Sequence, residues 1–137
     1  MIRELTISDN NDFQELGKLL NDNFANLYNL NDELNRDYSI VLGYEKEGKI
    51  VAFLHINLIQ DEIDIINIVV AKEYRKQKIA TKLLTYIINN YPNKKIILEV
   101  NEKNSNAYNL YLKMGFKENN RRKGYYNGDD AIIMVRI

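Results

Sequence analysis

Residues 63–90, IDIINIVVAKEYRKQKIATKLLTYIINN, change their period partway along, and that change decides the fold. From Ile63 to Val70 nearly every apolar position is β-branched, which predicts a strand. Beyond the basic stretch that follows, Ile79, Ala80, Leu83, Leu84, Ile87, Ile88 and Tyr91 recur at three- and four-residue spacing, which predicts an amphipathic helix. That helix stops at Asn89-Asn90, before Pro92, the single proline. A strand over Lys95–Val100 comes next. Strand, helix and strand make a crossover unit, so the two strands are expected to be parallel neighbours. Arg75, Lys76 and Lys78 stand at the helix entrance, where unpaired N–H groups and the positive end of the macrodipole already favour an anion. Cations there oppose the dipole. A solvated helix end and a bound anion both remain open on this stretch alone.

Outward from this unit the pattern is coarser. Ile2–Ile7 reads as a short strand, and Ser8 or Asp9 is placed to cap a helix with Phe13, Leu16, Leu19 and Leu20 on one face. A poorer helical stretch lies near Asn31–Asp37. Ser39–Tyr44 and Lys49–Ile59, joined at Glu47-Gly48, predict a hairpin, which makes Ile63–Val70 the third of three adjacent strands. After Lys95–Val100, Ser105 is placed to cap a helix whose Ala107, Leu110, Tyr111 and Met114 share a face, with Gly115 at the C′ position. Phe116–Arg122 and Ala131–Ile137 supply two last strands. The expected fold is an α/β single domain over 1–137, ordered β-α-α-β-β-β-α-β-α-β-β around a mixed sheet.

Composition removes several function classes. Nineteen basic residues balance nineteen acidic ones, so no broad nucleic-acid surface is expected. Cysteine is absent and His55 is the only histidine, which excludes disulfides, a thiolate or histidine-rich metal site and a cysteine nucleophile; no metal is expected. MIRELTISDNNDF is too polar for a signal peptide, and the apolar stretch Ile50–Ile59 is too short to span a bilayer, so a cytoplasmic setting without a membrane partner is expected. A hydrolase would need His55 beside Ser8, Ser39 or Ser105. Its place among apolar strand residues favours a packed histidine instead.

Three stretches, NIVVAKEYRKQKIATKLL (67–84), LEVNEKNSNAYNLYLKMGF (98–116) and RRKGYYNGDDAIIM (121–134), together resemble the GCN5-related N-acetyltransferase (GNAT) family in order and spacing. The likeness covers residues 67–136 and extends to the subgroup that acetylates the N-terminal alanine of a small-subunit ribosomal protein. It implies that acetyl-CoA binds where the two parallel strands splay, with Ile68, Val69 and Val70 offering backbone groups to the pantetheine arm. Arg75, Lys76, Gln77, Lys78, Ile79, Ala80 and Thr81 correspond to the loop whose amides hold the pyrophosphate. Lys78 replaces that loop's first glycine; its Cβ crowds a close backbone approach, while its amine is placed to meet a phosphate. Asn104 falls on a cofactor-contacting asparagine, or serves as a helix cap.

The resemblance further assigns Glu99 as general base and Tyr111 as general acid. Glu99 shares a face with Ile97 amid an apolar run, a setting expected to raise a carboxyl pKa; its plain alternative is a strand-end glutamate in solvent. Tyr111 is otherwise a core aromatic. Without cysteine, direct attack in a ternary complex is the natural route. Neutralising a lysine costs about 3.5 kcal/mol more than neutralising an α-amine, so one modest base suits an N-terminus. Tyr125, Tyr126, Asp129 and Asp130 are placed to grip a basic peptide N-terminus, unless Asn127-Gly128 is a hairpin turn with solvated acids. The rival readings are a small-amine or lysine acetyltransferase, a module that binds acetyl-CoA without turnover, and RNA binding through residues 75–82. The sequence leaves the oligomeric state open.

Overall fold

The computed structural model describes residues 1–137. The elements are β1 (Ile2–Glu4), α1 (Asn10–Gly17), α2 (Phe24–Leu27), α3 (Leu30–Leu34), β2 (Ser39–Lys46), β3 (Lys49–Ile59), β4 (Glu62–Val70), α4 (Ile79–Asn90), β5 (Lys95–Asn101), α5 (Ser105–Lys113), β6 (Lys117–Tyr126) and β7 (Asp129–Arg136). The strands form one seven-stranded sheet in the order β1-β2-β3-β4-β5-β7-β6. As the change of period predicts, β4 and β5 are parallel neighbours, and every other pairing is antiparallel.

The parallel pairing is brief. Glu62, Ile63 and Asp64 pair with Lys95, Ile96 and Ile97, and there it ends. Beyond that point β4 stays on β3 while β5 follows β7, so the two strands part. A bulge opposite His55/Ile56 leaves Ile66 without a partner on β3 and bends β4 at the start of the gap.

Each face of the sheet carries its own core. Ile79, Leu83, Leu84 and Ile87 of α4, together with Tyr111 of α5, pack on Leu54, Ile56, Ile63, Ile96, Leu98 and Val100. Phe13, Leu16, Phe24 and Leu30 of α1–α3 pack on Val41, Phe53 and Val69 on the other side. Gly17 permits that second layer, because a Cβ there would lie 2.1 Å from the Phe24 ring.

Several boundaries differ from expectation. β1 ends at Glu4, and Ile7 enters a 3₁₀ turn capped by Thr6 and Asp9 rather than extending the strand. The first helix ends at Gly17, so Leu19 and Leu20 lie exposed instead of on its core face. α3 forms at the stretch expected near Asn31–Asp37 but begins one residue earlier and ends at Leu34, and α2 adds a short helix that was not expected. Asn104, not Ser105, caps α5, with Oδ1 accepting from the Ala107 amide at 3.2 Å. The final strands are longer than predicted because Asn127 and Gly128 both take positive φ and close a tight hairpin; Tyr125, Tyr126, Asp129 and Asp130 therefore lie in strands, not in a loop.

Candidate active site

The basic entrance to α4 is a chain of free donors. No amide from Lys76 to Thr81 donates to a backbone acceptor, and Lys82 is the first to do so, to Lys78. Lys76 and Lys78 take φ of 66° and 61°, with Gln77 between them, a backbone form that turns successive N–H groups toward one concavity. This concavity opens on a groove of ≈ 390 Å³ lined by Val70, Tyr74, Arg75, Lys76, Lys78, Ile79, Ala80, Thr81 and Leu110. Arg75 bends back so that Nε donates to the Val70 carbonyl at 3.2 Å. Gln77 accepts from Lys46 Nζ at 3.1 Å. The Ile79 side chain is buried in the core, which leaves only its amide for a ligand. Ile68 and Val70 pack toward the α4–α5 layer, whereas the Val69 side chain is buried on the opposite face.

Glu99 stands on the other side of the sheet. In β5 the alternation sends Ile96, Leu98 and Val100 into the α4–α5 core and turns Ile97 and Glu99 away from it. Asp64 pairs with Ile97 in parallel register and so shares that face. Together with Ile66, Arg122, Tyr125, Tyr126 and Ile133, and with Asn21 and Tyr28 from the α1–α3 layer, they line an open cleft of ≈ 620 Å³. Asp129 does not line it. Asp130 is held elsewhere, accepting from the Gly124 amide at 3.1 Å.

The expected apolar enclosure of Glu99 is not what the structure holds. Its side chain is 30% exposed, and Arg122 Nε lies 3.3 Å from Oε1, an approach that reaches across from β6 and was not readable from the neighbours of Glu99 in sequence. Burial pushes the Asp64 carboxyl above its ordinary range, and the charge of Glu62 adds to the effect. Burial also raises the Tyr126 phenol, with Glu99 contributing.

Tyr111 belongs to the α4–α5 side. It is 5% exposed, its ring lies 5.8 Å from that of Phe116, and burial pushes its phenol up to about 12. Its hydroxyl has no hydrogen-bond partner in the chain. Glu99 lines the cleft, whereas Tyr111 lines neither hollow; the place where β4 and β5 part lies between the two faces. Asn104 serves as the cap it was alternatively expected to be.

Ser39 Oγ does lie 2.9 Å from His55 Nε2, but Glu33 Oε1 sits against the same ring nitrogen at 3.2 Å. His55 Nδ1 is buried without a partner, so no third group orients the ring and the trio is a packed polar link, not a nucleophile. Asp64, Arg122, Tyr28 and Asn21 are the polar cleft residues that the sequence left unassigned. The signal for Asp64 was a lone acid breaking an isoleucine run, in register with the face that carries Glu99.

No helix is long and apolar enough to cross a membrane. A family model described as the acetyltransferase (GNAT) family matches residues 4–116. A Bacillus subtilis protein provisionally named [ribosomal protein bS18]-alanine N-acetyltransferase is 34% identical over 106 residues, 74% of this chain and 70% of that one. The crystal structure of the ribosomal-protein-S18-alanine N-acetyltransferase from Escherichia coli superposes with a TM-score of 0.84 at 26% identity, covering 99% of this chain and 92% of that one. A GNAT family acetyltransferase from Elizabethkingia anophelis, solved with acetyl-CoA bound, shares the fold with a TM-score of 0.81 at 18% identity over 99% of this chain and 96% of that one. With the seven-stranded sheet and its parting parallel pair, these matches show that the chain belongs to the GNAT family of acetyltransferases.

Proposed function

We propose that this protein moves the acetyl group of acetyl-CoA to the α-amine of a protein N-terminus, an alanine of a ribosomal protein, by direct attack in a ternary complex. The observation that carries the proposal is the parting of β4 and β5 after Asp64, between a groove of free amides on one face and a cleft holding Asp64 and Glu99 on the other. The names of the relatives support the acceptor, and a cytoplasmic setting follows from it.

The groove fits the coenzyme. Free amides from Lys76 to Thr81 and the cations of Arg75, Lys76 and Lys78 suit a diphosphate, while Ile68 and Val70 border the gap that a pantetheine arm would follow. Asn104 keeps its side-chain amide for a further contact, since only Oδ1 is spent on the cap. When bound, acetyl-CoA supplies a thioester as acetyl donor and departs as a thiol.

The chain's own residues divide the proton work. Tyr125 and Tyr126 border the acceptor's path, and Asp64 and Glu99 draw its ammonium. Asp129, at the hairpin turn, adds negative charge along the approach. Glu99 takes the ammonium proton and leaves a nucleophilic amine. Tyr111 Oη gives its proton to the departing sulfur as the C–S bond breaks, and the second proton lost by the attacking nitrogen restores the phenol by way of solvent. A phenol near 12 is a weak donor in water, but a thiolate forming beside it is disfavoured by the same burial, so transfer accompanies bond breaking.

Mass spectrometry of peptides beginning with alanine, incubated with acetyl-CoA and the protein, tests the reading. Acetyl should appear on the α-amine. Acetyl confined to internal lysines would overturn the N-terminal assignment, and tight coenzyme binding without product on any amine would leave a binding module. Glu99→Gln and Tyr111→Phe should each lower turnover by about 100-fold or more while coenzyme affinity, read by calorimetry, stays within about three-fold.

A further inference from the structure

β6 carries two adjacent arginines, and its alternation separates them. Arg121 lies on the α5 side, held by Glu118 Oε1 at 2.6 Å with Glu102 and Asp130 at 3.8 and 3.6 Å. Arg122 lies on the cleft side. There its Nε stands 3.3 Å from Glu99 Oε1, an ion pair lacking hydrogen-bond geometry, and its side chain is 54% exposed. Its guanidinium carbon is also 5.2 Å from the centre of the Tyr125 ring. The pairing of β6 with β7 breaks between Arg122 and Tyr126, and Gly124 within that break has φ of 65°. Arg122 itself still pairs with Ala131, and the three residues that follow it, Lys123 to Tyr125, are the ones without a partner on β7.

We infer, resting on the N-terminal acetyltransferase reading, that Arg122 is a positioning residue that occupies the acceptor's place: its guanidinium covers Glu99 in the free protein and yields to the incoming ammonium. A guanidinium beside Oε1 offsets much of the carboxylate's charge, so an ammonium arriving at Glu99 gains less while Arg122 remains there. A loosely held, exposed pair is cheap to open, and the Tyr125 ring already in contact offers the displaced guanidinium a second seat. Asp64, on the same face, attracts the newcomer without being engaged by any cation itself. After transfer the acceptor nitrogen is an uncharged amide. It cannot compete with a guanidinium for Glu99, so once Glu99 has passed the ammonium proton to solvent Arg122 returns and helps the product leave.

The contact thus trades acceptor affinity for product release, and its signature is a split between KM and kcat. With an alanine-first peptide at saturating acetyl-CoA, Arg122→Gln should lower KM about two- to five-fold, the range that an exposed ion pair allows, with kcat unchanged or reduced. Arg122→Lys, which keeps a cation in the place, should retain a KM near that of the parent protein. Lys123→Gln removes the same charge one residue away, outside the cleft, and should leave KM unchanged. An unchanged or raised KM in Arg122→Gln overturns the inference, and so does an equal fall in Lys123→Gln, which would mean a general field. A parent protein that acetylates no such peptide overturns the underlying reading together with this one. A parent that does, beside an Arg122→Gln variant with identical kinetics, overturns this one alone.

Discussion

Lys78 holds φ 61° and ψ 26° immediately before α4, a backbone form in which its Cβ crowds the following carbonyl. Glycine has no such conflict, so Lys78→Gly should raise stability by about 0.5–1 kcal/mol, read from the urea midpoint by circular dichroism. Lys78→Ala keeps the Cβ and deletes the charge, and should leave the midpoint in place while weakening coenzyme A binding a few-fold. The strain and the charge are thereby separated. At this scale the sequence was legible wherever alternation decides a face: Ile97 and Glu99 do point the same way. What surrounds Glu99 was not legible, because Arg122 arrives from β6, on the far side of β7, and no local pattern announces a contact made across an intervening strand.

Elements with several periods were read well, and those with one or two turns were not. α4 spans 12 residues and its apolar stripe is unambiguous, whereas α2 and α3 have 4 and 5 residues and their helical form depends on packing under β2 and β3. α3 is tied to the sheet by Glu33, which meets Arg36, Ser39 and His55. Burial holds His55 below its ordinary pKa, against the opposing pull of Glu33. The unfolded chain, titrating near 6.5, then binds more protons than the folded one in the window below that value, so stability falls as pH drops through it. The urea midpoint should decline between pH 7.5 and 5.5. His55→Gln should lose about 1–3 kcal/mol at pH 7.5, from the disturbed link, and show less of that acid decline.

For the molecule as a whole, the parallel crossover was readable from period alone, and so was most of the order of elements along the chain, though not the insertion of β7 between β5 and β6. The splay was not readable from period and was expected only from the family resemblance, since it arises where β5 leaves β4 to follow β7, a choice made by pairing partners thirty to forty residues apart. Because the coenzyme groove is preformed, coenzyme A at about one hundred times its Kd should stabilise the fold by about 2.7 kcal/mol. Amide exchange should slow from Lys76 to Thr81, where donors are now free, and an unshifted melting curve at millimolar coenzyme would contradict the groove's role.

The two apolar layers touch one another only through the sheet, one beneath α4 and α5 and the other beneath α1–α3. The groove proposed for the coenzyme is built on the first layer, while Asn21 and Tyr28, which border the cleft proposed for the acceptor, hang from the second. Substitutions in the second layer thus reshape one wall of that cleft and leave the groove on the opposite face as it is.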